Sequence, residues 1–287
     1  MTTAPVPAPI GFDTLLTRTW ALFRRNWIIA LPPIIAGIIA VVLIVAVLAF
    51  FVVAALASAG GVDRAAEKLG PAFVFSYLAA VLVALAVTLW GYVAMFGMAD
   101  AAWERGTATF ADGFAAFRAR AGAVLVAWIG LVGLAIVALI LSIPTLFIAL
   151  LAFPVVTMYV LPSVVSGGRG GFEAIGESWQ LVRRYPGQSI IAFLVLVAIW
   201  YGISFVGAIF ILPVEFSVMP RGSETMPHMP PIPLLAFGGV GYFISIALSM
   251  AYSGFFALAL TGLYRDLAPR PVIQPFPPAP PGIVPAP

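Results

Sequence analysis

Five long stretches of this chain carry no Asp, Glu, Lys or Arg: residues 26–62, 69–99, 121–168, 185–214 and 225–264. A helix crossing a hydrocarbon layer about 30 Å thick needs about 20 predominantly apolar residues. Four of the stretches supply one such helix each. The stretch 121–168 is long enough for two, with Ser142-Ile143-Pro144 as the turn between them. The expectation is an all-α integral membrane bundle of six transmembrane helices, near residues 30–57, 72–99, 122–142, 145–166, 188–212 and 234–264. Composition agrees. Hydrophobic residues make up 63% of the chain and charged residues 9%, against about 25% charged in soluble domains, so lipid is the solvent.

Short basic segments precede three of the apolar runs. The first is Trp20-Ala21-Leu22-Phe23-Arg24-Arg25 and the third Trp179-Gln180-Leu181-Val182-Arg183-Arg184. A weaker middle copy, Phe114-Ala115-Ala116-Phe117-Arg118, is followed by Arg120. Helical spacing puts the rings on one face and the arginines on the other. That pattern predicts three amphipathic helices lying in the membrane–water interface on the cytoplasmic side. Their arginines, with Arg169, are the expected lipid-headgroup residues: Arg24, Arg25, Arg118, Arg120, Arg169, Arg183 and Arg184. A basic helix plus two spans, three times over, also suggests a three-fold internal repeat. The spacing is unequal, and the middle copy lacks the Trp and the Arg pair.

Orientation follows from the excess of Lys and Arg in cytoplasmic loops. Eleven arginines fall on one side: Arg18, Arg24, Arg25, Arg105, Arg118, Arg120, Arg169, Arg183, Arg184, Arg265 and Arg270. The other side has Arg64, Lys68 and Arg221. Both termini are therefore expected in the cytoplasm, and the protein in the cell's inner (plasma) membrane. With a net charge of +3 dispersed along membrane boundaries, the expected partners are anionic lipids and not nucleic acid. A homo-oligomer or a protein partner within the membrane stays open. The first eleven residues contain no Lys or Arg, and the first apolar run is too long for a cleaved leader.

The Pro-rich stretches 1–10 and 268–287 are expected to be extended, solvated tails flanking one membrane domain at 11–267. Pro154 and Pro162 should kink or locally unwind the fourth span. In the sixth span Gly241, Ser245, Ser249, Ser253, Ala257 and Thr261 recur every four residues. Small side chains at that spacing let another helix approach closely, and the first four are the expected packing positions.

The opening Phe12-Asp13-x-Leu15, the run Trp20-x-Leu22-Phe23-Arg24-Arg25-Asn26, the later Glu177-Ser178-Trp179-x-Leu181 and the closing Leu263-Tyr264-Arg265-Asp266 resemble a known group. These are uncharacterised six-helix bacterial and archaeal membrane proteins. The group includes YciC-type proteins and the membrane domain fused to some glycerophosphodiester phosphodiesterases. The resemblance covers about residues 10 to 267 and implies a six-helix integral protein. It carries over no catalytic residue, because the phosphodiesterase chemistry of such fusions belongs to a separate soluble domain.

Chemistry-bearing residues are sparse. Cysteine is absent and His228 is the single histidine. With Glu215 and Glu224 it could form a weak outer metal site, although zinc sites usually gather several ligands at close spacing. No Gly-x-Ser-x-Gly motif or Walker-type phosphate loop occurs. Gly167-Gly168-Arg169-Gly170-Gly171 reads as a tight joint between helices, or as a backbone grip for a lipid phosphate. No span carries an ionisable residue near its middle, which disfavours an ion-driven carrier. No catalytic residue, metal or cofactor is assigned. The expected function is non-enzymatic: binding anionic phospholipid at the cytoplasmic face and organising a membrane process. The alternative is a passive transporter or channel for a small or lipid-like substrate, with Thr157, Ser163, Ser204 or Ser249 lining its path.

Overall fold

The computed structural model describes residues 11–57, 61–218 and 232–268. The expected tails at 1–10 and 268–287, save Ala268, and the outer-loop residues Arg221, Glu224 and His228 lie outside the described residues, as do the side chains of Arg64, Lys68 and Glu215.

The chain opens with helix α1 (Phe12–Arg25), followed by a 3₁₀ turn at Trp27–Ala30. Next come α2 (Leu31–Ala57), α3 (Gly61–Arg105), α4 (Phe110–Ser142), α5 (Ile148–Thr157) and α6 (Val160–Val165). The last are α7 (Gly171–Arg184), α8 (Pro186–Val218) and α9 (Ile232–Leu267). No strand occurs among the described residues. Six helical stretches are long and apolar enough to cross a membrane: Trp27–Ala57, Gly70–Arg105, Phe110–Ser142, Ile148–Val165, Pro186–Val214 and Gly238–Leu267. The protein is a multi-pass, all-α membrane bundle.

Two of the three basic segments are separate helices, and the middle one is not. At the end of α1 the chain turns at Asn26 (φ −128°, ψ 43°), and at the end of α7 it turns in nearly the same way at Tyr185 (φ −130°, ψ 59°). Pro186 explains the second break, since the residue before a proline is steered out of the helical region. The middle segment has no such punctuation. Thr109 caps it, with its amide donating to Asp112 Oδ2 (2.9 Å) and its hydroxyl accepting from the Asp112 amide (3.4 Å). The helix then runs unbroken through Arg118 and Arg120 into the third span.

The fourth span is interrupted, as Pro154 and Pro162 predict. Helix α5 stops at Thr157 and α6 resumes at Val160. The turn into this span falls slightly later than expected, at residues 143–147, and Leu146 and Phe147 adopt left-handed backbone (φ 49° and 66°).

Burial is uneven along the bundle. The tight core gathers at the arginine-bearing end: Val93, Met95, Phe96 and Met98 of α3, Val160 and Val164 of α6, and Ala257, Leu258 and Leu260 of α9. Toward the other end, Val45, Phe50, Val52 and Val53 of α2 and Leu78 and Leu82 of α3 are exposed to the surrounding lipid. Lipid tails give helices no hydrophobic reason to associate, so close packing of small residues must do so. A Cβ on Gly171 would stand 2.5 Å from the Ala127 nitrogen and 2.6 Å from the Ala123 oxygen. One on Gly97 would meet the Ala116 Cβ at 2.3 Å. Gly262 similarly makes room for the Trp103 ring.

Replacing Gly171 with Val should therefore destabilise the folded protein by about 1–3 kcal/mol, the usual cost of overpacking a tight contact. Gly176, on the same helix with open space around it, should accept Ala with little change. Thermal unfolding of both variants in detergent micelles checks the contrast.

Candidate functional site

The polar side chains at the arginine-bearing end fall into two kinds: those spent on joining helices and those left pointing outward. Asn26 joins α1 to the α3–α4 connection. It is buried, and its amide donates to Leu22 O (3.0 Å) and Gly106 O (3.1 Å) while its oxygen accepts from the Ala108 amide (2.8 Å). Gly106 adopts φ +76°, a conformation glycine tolerates freely.

Arg265 joins the last span to the second. Its Nε donates to Asp100 Oδ1 (2.9 Å), and its Nη2 lies 2.8 Å from Asp100 Oδ1 and 2.9 Å from Glu104 Oε1. Between those carboxylates in sequence, the Trp103 indole donates to Leu258 O (2.8 Å), and the Arg18 guanidinium lies 4.6 Å from the Trp103 ring centre. Arg105 pairs with Asp112 at 2.7 Å, across the same connection that Asn26 grips.

A third junction centres on Glu177. Its carboxylate accepts from the Ser163 hydroxyl, from the Tyr264 hydroxyl (3.2 Å) and from Arg169, whose Nε is 3.4 Å away. Arg169 also reaches Glu173 at 2.9 Å. The Glu177 charge, with that of Glu173, holds the Arg169 guanidinium above its usual pKa. Helices α6, α7 and α9 thus meet at one carboxylate. The next residue, Ser178, repairs the break in the fourth span. Its hydroxyl accepts from the Tyr159 amide (3.2 Å) and donates to Val156 O (2.5 Å). These bonds serve backbone groups freed by the break, which lipid could not satisfy.

The glycine run 167–171 is a packed joint. A Cβ on Gly167 would stand 2.0 Å from the Tyr264 hydroxyl, and Gly168 adopts φ +71°. The Gly168 carbonyl accepts from Arg120 (3.2 Å). The amides of Gly167, Arg169 and Gly170 donate to Pro162 O, Ser163 O and Glu173 respectively. Those three donors are already used, which weighs against the phosphate-grip alternative.

The seven arginines singled out by sequence therefore divide. Arg120 and Arg169 are spent inside the molecule. Arg24, Arg25, Arg118, Arg183 and Arg184 are exposed and form no ion pair among the described residues. Arg183 lies 5.9 Å from the Trp179 ring centre and Arg184 5.7 Å from that of Tyr185. Beside them Trp20, Trp27, Phe172 and Trp179 are also exposed. A cleft of about 380 Å³ runs along α7, lined by Arg169, Glu173, Glu177, Gln180 and Arg184 among others.

The small-residue positions of α9 do not share one neighbour. Gly241 faces the Phe210 side chain, and Ser245 faces Gly207, both on α8. Ser245, Ser249 and Ser253 line a groove of about 560 Å³ against Pro33, Gly37 and Val41 of α2. Ala257 and Thr261 are fully buried in the core. A four-residue repeat on a helix of 3.6 residues per turn advances by about 40° per step, so the row winds around α9. Of the residues expected to line a solute path, Thr157 and Ser249 lie in separate cavities and Ser163 is bonded to Glu177. Among the described residues no group of three or more His, Cys, Asp or Glu could hold a metal.

Asn26, Asp100, Trp103, Glu177, Ser178 and Tyr264 carry the junctions, and a count of Lys and Arg passes over all of them. Asn26, Glu177, Ser178 and Tyr264 do lie within the short runs that the sequence reading singled out. In comparisons with known proteins the chain matches no protein-family model, curated protein or solved structure.

Removing the Asn26 amide leaves the buried Ala108 donor and the partly buried Gly106 acceptor without their partner. Asn26→Leu should cost about 1–3 kcal/mol, whereas Thr17→Ala, which loses an exposed bond to Asp13 O, should be nearly silent. Melting temperatures of the two purified variants measure the difference.

Proposed function

We propose that this membrane protein binds anionic phospholipid at its arginine-bearing face, that this face is cytoplasmic, and that the protein organises a membrane process from there. The observation behind the proposal is the sorting of the arginines. Charges at the edge of a bilayer are costly unless paired or brought to the headgroups. Arg105, Arg120, Arg169 and Arg265 have partners within the chain. Arg24, Arg25, Arg183 and Arg184 are exposed, with the exposed Trp20, Trp27 and Trp179 on the same segments, and Arg118 is exposed as well. Indole rings favour the headgroup level, and guanidinium groups pair well with phosphate. The excess of arginine on this side supports a cytoplasmic placement by the usual charge rule.

Headgroup binding is tested by reconstituting the protein in nanodiscs of mixed phosphatidylcholine and phosphatidylglycerol and counting retained lipids by native mass spectrometry. Each basic residue near an anionic surface contributes about 1 kcal/mol. Replacing Arg24, Arg25, Arg183 and Arg184 with Gln should lower phosphatidylglycerol retention by at least about tenfold, on that scale. Unchanged retention would rule the proposal out.

A further inference from the structure

Below the polar junctions, between the α4–α5 hairpin and α8, lies a partly open cavity of about 280 Å³. Leu131 of α4, Phe153 and Thr157 of α5, Met158 at the break, Phe193 of α8 and Tyr252 of α9 are among its walls. Only Thr157 and Tyr252 of these carry hydroxyls, and both are spent. Thr157 Oγ1 donates to Phe153 O (2.9 Å) and the Tyr252 hydroxyl donates to Leu196 O (3.0 Å). With both protons used, the walls offer a ligand no free side-chain donor, so an ion, sugar or amino acid would lose most of its water for little in return.

Depth settles what stands outside. Leu131 is eleven residues along α4 from Arg120, and Tyr252 is thirteen residues along α9 from Arg265. At 1.5 Å per residue these are about 16 and 20 Å, near the middle of a hydrocarbon layer about 30 Å thick. Leu131, Phe153 and Phe193 are each partly exposed, so the opening faces acyl chains.

We propose that this cavity is a binding site for the hydrocarbon chain of a membrane lipid. An apolar cavity of roughly 150 Å³ already stays dry and takes up benzene, and this one is larger. A chain entering it regains the dispersion contacts that an empty wall forfeits. Met158, unbranched and polarisable, gives the wall a surface that adapts to a flexible guest. The interrupted fourth span makes this possible: where α5 stops and α6 resumes, the helix no longer fills the space against α8. This site is independent of the arginine face and stands even if headgroup charge proves irrelevant.

The test uses the full chain in phosphatidylcholine vesicles containing a trace of phosphatidylcholine with a mid-chain diazirine. After irradiation, adducts are mapped by mass spectrometry. In the wild-type protein, adducts at Leu131, Phe153 or Phe193 should exceed those at the freely exposed Leu139 and Leu151. Leu131→Trp and, separately, Phe193→Trp should lower the cavity adducts by at least about fivefold, since a filled core leaves little void, with Leu139 and Leu151 labelling unchanged. Cavity labelling no stronger than surface labelling in the wild type overturns the proposal even if both variants fail to fold. Labelling of the cavity by a small diazirine-bearing arene but not by the lipid overturns it too, and assigns the site to a small apolar solute.

Discussion

The guanidinium of Arg265 holds Asp100 and Glu104 together, and through them ties the last span to the second. The bond illustrates the constraint that governs this end of the bundle. A charge or backbone amide at the edge of the hydrocarbon layer has no bulk water to fall back on. It must find a partner in the chain or reach the headgroups. Asn26, Glu177 and Ser178 do the first for the first span, the sixth and the broken fourth. Each junction sits beside close helix packing, as where Trp103 fits over Gly262 and Tyr264 over Gly167. Polar bonds and small residues thus reinforce one another at the same level of the bundle.

That arrangement explains why the core gathers at one end. At the arginine-bearing end the helices are pinned by directional bonds and can pack closely. Further along, apolar side chains such as Phe50, Leu78 and Leu82 are exposed, and the helices meet through apolar contacts such as Phe51 with Phe73 and Gly241 with Phe210. Phe12 and Leu15 of α1 pack with Leu263 and Leu267 of α9, so the beginning and end of the described chain share that end.

Six spans were legible from the charge-free runs, because the exclusion of charge from lipid is a strong and local rule. The break in the fourth span was legible from Pro154 and Pro162 for an equally local reason. The continuity of α4 was missed because the aromatic–arginine pattern looks the same whether or not a helix turns after it; Asn26 and Tyr185–Pro186 make the difference elsewhere. The fate of each arginine was not legible. Arg120 finds its acceptor 48 residues away and Arg265 finds Asp100 165 residues away, and separations of that kind are fixed only by the assembled fold. For the same reason a regular row on α9 faces several neighbours instead of one.

We propose that the arginines divide their labour, those paired within the chain bracing the bundle and the exposed ones meeting lipid headgroups. An electron cryomicroscopy reconstruction in nanodiscs containing phosphatidylglycerol tests it directly. Phosphate density is expected beside Arg24, Arg25, Arg118, Arg183 and Arg184, with Arg265 still on Asp100 and Glu104 and Arg169 still on Glu177. Headgroup density at Arg265 or Arg169 with their carboxylates released, or none at the five exposed arginines, would contradict it.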